Sequence, residues 1–170
     1  TDLRIEETGG TVRLVNALTG ISLRKDPAGG EGPIEAVRLR NGKWVGGSAL
    51  PDRMRIESAR LEVTARGPVF AEAVCRLKLK DGGTWEGRFR LEAREPAVVV
   101  EETMTGGGEG QMEVSLGRNF APDHIFFRYG KGVPGDANAV GAPATWEIQP
   151  GTGEPAFVWV PWLRWWERVR

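Results

Sequence analysis

The fold is decided by the stretch PVFAEAVCRLKLKDGGTWEGRFRLEAR, residues 68–94. In its first half Val69, Ala71, Ala73, Cys75, Leu77 and Leu79 fall on one face of an extended chain, and Glu72, Arg76, Lys78 and Lys80 on the other. In its second half Trp85, Phe89, Leu91 and Ala93 alternate with Glu86, Arg88, Arg90, Glu92 and Arg94. Apolar and polar residues that alternate with period two describe strands buried on one face only. Between the halves, Asp81-Gly82-Gly83 supplies residues that accept the positive φ of a tight hairpin. The stretch therefore predicts an antiparallel hairpin with one face in a core.

The same alternation extends outward. MRIESARLEVTAR (54–66) aligns Leu61, Val63 and Ala65, and Arg66-Gly67-Pro68 turns the chain into the hairpin. After Glu95-Pro96 the run AVVVEETMT leads to GGGEG (106–110), and QMEVSLG then aligns Met112, Val114 and Leu116. Upstream, TDLRIEE, TVRLVN, ISLRK and EAVRLR are shorter strands parted by Gly-rich turns; downstream, HIFFRY, ATWEIQ and AFVWV are further candidates. A dozen short strands at roughly ten-residue spacing predict an all-β, antiparallel sandwich or barrel. GKGVPGDANAVGAPA (130–144) reads as a long surface loop.

Composition narrows the function classes. The 23 basic side chains balance 23 acidic ones and are spread singly along the strands, which excludes nucleic acid as a main partner. The apolar runs are too short to span a membrane, so no membrane partner is expected. Cys75 is the one cysteine, ruling out an internal disulfide, and it reads as a small buried hydrophobe. GGGEG and PAGGEG do not lead from a strand into a helix as phosphate-binding loops do. GDANA (135–139) lacks the further ligands of a calcium loop, and no hydrolase triad or zinc-protease motif occurs. No cofactor and no metal site is expected.

The segment from Ile56 to Thr105 contains a strand, a GPV turn (67–69), a long strand, a DGG hairpin (81–83), RFRL (88–91) and PAVVVE (96–101). In that order it resembles the galactose-mutarotase-like β-sandwiches, or supersandwiches, of bacterial glycoside hydrolases and polysaccharide lyases. The likeness runs over about residues 34–117 and implies a supersandwich over residues 1–160, ahead of a separate catalytic domain. It also implies a secreted or periplasmic setting. Mutarotase chemistry needs several histidines and a glutamate around the sugar, and the chain has the single histidine His124.

Candidate sites follow. Asp123 could orient His124 as a base, but adjacent strand residues face opposite ways, so His124 reads as a histidine at a strand start. The same geometry keeps Glu101 and Glu102 from flanking one bond as glycosidase carboxylates do. One of them is expected on the inner face, paired with Arg88 or Arg90. Tryptophan faces stack on sugar rings, which makes Trp44, in RNGKWVGGS, a place for glycan contact. Trp85 and Trp146 are expected in the core.

The end of the chain, WVPWLRWWERVR (159–170), adds a helical signal. From Pro161 onward Trp162, Trp165, Trp166 and Val169 recur at i, i+3, i+4 and i+7, with Arg164, Glu167 and Arg168 between them. Residues 161–170 are expected to begin a connector helix that docks on the sandwich or on a neighbouring domain of the same chain. The lesser reading puts Trp162, Trp165, Arg164 and Glu167 with Trp44 as glycan-binding residues.

Three functions remain open. The first is a non-catalytic module of a larger carbohydrate-active protein, a scaffold contacting a polysaccharide or oligosaccharide. The second is part of a hydrolase or lyase active site that includes His124, Glu102 or Glu154. The third is a ligand-free adhesion or assembly sandwich.

Overall fold

The computed structural model describes residues 2–51 and 54–106, with the strands 113–115, 124–127, 133–134, 146–149 and 157–159. The chain divides into two compact units, Thr1–Asn119 and Phe120–Arg170. The first is an antiparallel β-sandwich. One sheet has five strands in sequential order: β1 (Arg4–Glu7), β2 (Thr11–Val15), β3 (Gly20–Arg24), β4 (Ile34–Arg38) and β5 (Trp44–Val45). After β6 (Gly47–Ala49), the second sheet is built from β7 (Ile56–Arg66), β8 (Phe70–Leu79), β9 (Thr84–Glu92) and β10 (Val98–Thr105), in the order β10-β9-β8-β7. Strand β11 (Glu113–Ser115) returns to pair with β6.

The inner faces of the two sheets make one core. Val12, Leu14, Ile21, Leu23 and Ile34 come from the first sheet; Ala71, Ala73, Cys75, Leu77, Leu79, Trp85, Phe89 and Leu91 come from the second. These are the alternate positions of the period-two pattern, so each strand inserts every second side chain. Trp85 is buried as expected. Its indole lies against Gly87, where a Cβ would overlap the ring. Val69, grouped with the apolar face by its spacing, precedes β8 and is exposed.

Two hairpins share one turn. In Leu79–Gly83 the Gly82 amide donates to the Leu79 carbonyl (3.0 Å), and the Leu79 amide donates to Gly83 (2.8 Å). In Leu39–Lys43 the Gly42 amide donates to Leu39 (2.9 Å) and the Leu39 amide to Lys43 (2.8 Å). Gly82 (φ +87°) and Gly42 (φ +86°) hold the left-handed position that closes each loop. The side chains of Asp81 and Asn41 each accept the amide two residues on, at 3.0 Å. The β9–β10 turn instead places a non-glycine residue, Arg94, at φ 66°.

Asn16 ties the sheets together. Its fully buried side chain donates to the carbonyls of Glu92 (2.8 Å) and Glu95 (2.7 Å), beside the β9–β10 turn. Its oxygen accepts the amides of Leu18 (2.9 Å) and Thr19 (2.8 Å) and so closes the β2–β3 turn. All four capacities of the amide group are met, as burial requires.

The second unit contains β12 (His124–Phe127), β13 (Val133–Pro134), β14 (Trp146–Gln149) and β15 (Phe157–Trp159), in the order β13-β12-β14-β15. The expected loop over 130–144 thus yields two residues to an edge strand, where a proline is tolerated. The connector helix expected at 161–170, like the side chain of Trp146, lies outside the described residues.

Candidate functional site

The two sheets present different outer faces. On the first sheet, cross-strand register sets Val15, Gly20, Arg38 and Trp44 in one row. The Asn41-Gly42 turn delivers Trp44 to the edge strand β5, and its half-buried indole reaches back across β4 toward β3. A Cβ at Gly20 would stand 3.3 Å from the far edge of the ring and 2.9 Å from the Leu14 carbonyl oxygen. Glycine there leaves the indole room to lie along the sheet.

Arg13 on β2 completes the patch, its guanidinium carbon 5.1 Å from the Trp44 ring centroid, within cation–π range. Its Nε donates to Ser22 Oγ at 3.4 Å, and Ser22 Oγ donates to Glu35 Oε2 at 2.5 Å. Glu35 is available because the β3–β4 register shifts between Ser22 and Leu23, leaving it as the extra residue of a bulge. Arg38 directs Nη1 at the carbonyls of Asn16 (3.2 Å) and Ala17 (3.4 Å). The result is an aromatic face beside donors and an acceptor.

The outer face of β7–β10 is a lattice of ion pairs. Lys78 meets Glu57 at 2.9 Å, Arg76 meets Glu86 at 2.7 Å and Glu62 at 3.6 Å, and Arg60 meets Glu62 at 3.5 Å. Arg88 bonds the buried Glu72 at 3.1 Å, and Glu72 also accepts from Thr64 at 2.8 Å. Arg90 bonds Glu92 at 2.8 Å and lies 4.0 Å from the centre of the Phe70 ring. A recess of about 480 Å³ on this sheet is lined by residues including Arg60, Arg76, Lys78, Thr84, Glu86 and Thr103.

The paired glutamates part as strand geometry requires, but with their partners exchanged. Exposed Glu101, opposite Arg88 in register, pairs with it at 3.8 Å on the outer face. Inner-face Glu102 is opposite Gly87 and takes the Trp85 indole N–H; among the described residues no arginine pairs with it. Crowding against the apolar face pushes its carboxyl pKa up, and the indole hydrogen bond partly opposes that rise. Its side chain stays exposed overall because β10 is the sheet edge. Burial likewise drives the Cys75 thiol up to about 12, which leaves it inert as a nucleophile.

Of the glycan candidates, Trp44 is placed with polar neighbours; Trp162, Trp165, Arg164 and Glu167 lie outside the described residues, as does Glu154. The backbone of His124 pairs with Pro134 and Gln149 in β12, and its side chain is outside the description. Sequence reasoning singled out Trp44 and missed Arg13, Gly20, Ser22 and Glu35. One signal was present: LRNGK (39–43) repeats the pattern of LKDGG (79–83), and so marks a second hairpin ending at Trp44. Among the described residues, no three His, Cys, Asp or Glu side chains gather as they would around a metal ion. Neither the family models nor the curated proteins give a match to the chain.

Proposed function

We propose that this chain is a non-catalytic β-sandwich module, of the supersandwich kind, from a larger bacterial carbohydrate-active protein. It serves as a scaffold and contacts glycan through the Trp44 face. The observation that carries the reading is the Trp44 indole, half-buried along the sheet and flanked by Arg13, Ser22 and Glu35. An aromatic plane stacks on the apolar C–H face of a sugar ring while nearby polar groups take its hydroxyls. Three carboxylates of the second sheet already have partners: Glu101 has Arg88, Glu102 the Trp85 indole, and Glu72 both Arg88 and Thr64.

The test is titration of the chain with a polysaccharide panel, followed by tryptophan fluorescence and by retardation in glycan-containing gels. At least one glycan should quench or shift the emission and retard the protein, and Trp44→Ala should remove both effects. Flat fluorescence and free migration throughout would leave a scaffold without glycan contact.

A further inference from the structure

We infer that the Trp44 face takes a carboxylated sugar, a uronate-type ring, and that Arg13 reads its carboxylate. The inference deepens the glycan reading above and rests on it. Its basis is that Arg13 and Arg38 are unpaired where other strand cations are paired. On β7–β10, Arg60, Arg76, Lys78, Arg88 and Arg90 each have a carboxylate oxygen within 3.5 Å. On the first sheet Arg24 has Glu31 at 3.5 Å, but among the described residues Arg13 and Arg38 have no carboxylate partner. Arg13 uses Nε alone, toward Ser22, and its two terminal amino groups have no hydrogen-bond acceptor among the described residues. Arg38 turns to main-chain carbonyls, which leave its charge uncompensated.

Two acidic side chains share this face. Glu35 is held by the Ser22 hydroxyl, and Glu6 stands opposite Arg13 across β1–β2. With Arg4 in register opposite Val15 and Arg24 opposite Thr11, the face carries Arg4, Arg13, Arg24 and Arg38 against Glu6, Glu35 and the Glu31 that pairs with Arg24, a local excess of one positive charge. An unpaired planar guanidinium beside an indole matches two parts of a uronate ring. The fork accepts a carboxylate through two parallel N–H···O bonds, and the indole accepts the C–H face of the ring. In the free protein Arg13 lies on Trp44. A ligand carboxylate offers it a charge-assisted pair, the stronger contact, and draws it off the ring. A neutral sugar must displace the same cation with nothing to offer in exchange.

The experiment measures binding of the 170-residue chain by calorimetry to oligogalacturonide, alginate and hyaluronan oligomers. Each is paired with a counterpart whose carboxylates have been reduced to alcohols. At least one acidic oligomer should bind about tenfold or more tightly than its reduced form, with the advantage shrinking as salt is raised. Arg13→Gln should abolish the difference between the two forms, weakening the acidic one and leaving the reduced one no weaker, since the cation it had to displace is gone. Arg13→Lys keeps the charge without the fork and should fall between. Thermal unfolding of each variant confirms that it is folded. Equal affinities for acidic and reduced forms, both lost in Trp44→Ala, would overturn the carboxylate inference and keep the glycan reading. Binding insensitive to Trp44→Ala, or no binding to any oligomer, would overturn the carboxylate inference; the polysaccharide panel then decides the glycan reading separately.

Discussion

The two outer faces of the sandwich come from the same strand alternation and have opposite chemistry. On β7–β10 Arg76, Lys78 and Arg88 answer carboxylates one strand away, and Arg60 and Arg90 answer carboxylates two residues along their own strands. On β1–β5 Arg24 has Glu31, but Arg13 and Arg38 keep company with an indole and main-chain carbonyls. Lengths contribute to the difference. Strands β7 to β10 run eight to eleven residues and stack long rows of cross-strand pairs, whereas β5 has two residues and sets one aromatic at the edge. The longer strands give each cation more carboxylates within reach, while the shorter ones leave Arg13 and Arg38 without one.

Substitutions in the shared core should have the largest effect and remove both faces together. Phe89→Ala empties a fully buried site between the sheets and should cost about 3–5 kcal/mol in denaturant unfolding. Asn16→Ala comes next, at about 2–4 kcal/mol, because it orphans two carbonyls beside the β9–β10 turn and two amides in the β2–β3 turn. It also sharpens the comparison: the main-chain carbonyl that holds Arg38 stays in the variant but sits in the loosened β2–β3 turn, so amide exchange should quicken in β4 and β5 before it does on the ion-pair face.

Surface charges rank lower. Arg76→Ala takes the partner from both Glu62 and Glu86 and should cost up to about 1 kcal/mol, less in high salt. Arg13→Ala should cost under about 0.5 kcal/mol, since it parts from no carboxylate. The reverse ranking would erase the distinction between the faces.

The smallest effect concerns Glu102. Its folded pKa lies above the ordinary value of 4.5, so the folded chain holds this proton more tightly than the unfolded chain does. The resulting stability is whole below pH 4.5 and is lost as pH rises through the folded value. Glu102→Gln should therefore gain on the native chain as pH rises through that window. A constant difference across it would show that Glu102 titrates as freely as in solvent.

The alternation that predicts β7 to β10 is legible because it is local: side-chain direction reverses at every residue, so burial can be read along the strand. The hairpin turn at Asp81-Gly82 is equally legible, as φ > 0 selects its residues. Other features resist because they depend on neighbours far along the chain. Arg13 and Trp44 belong to different strands with β3 and β4 between them, and the Gly20 gap matters only once an indole lies over it. The pairing of Glu101 and Glu102 was misjudged for a similar reason. Period two says that the residues diverge, but only the edge position of β10 and the notch at Gly87 put an indole beside the inner one.

By itself, then, the sequence determined the antiparallel β class, the faces of the long strands, the burial of Cys75 and Trp85, and the prominence of Trp44. These rest on backbone geometry that repeats residue by residue. The tertiary structure decided that Asn16 clamps one sheet to the other, that a bulge turns Glu35 toward Ser22, and that Arg13 is left without a carboxylate beside Trp44. Those depend on register between strands, and register is settled by the packing of the whole core.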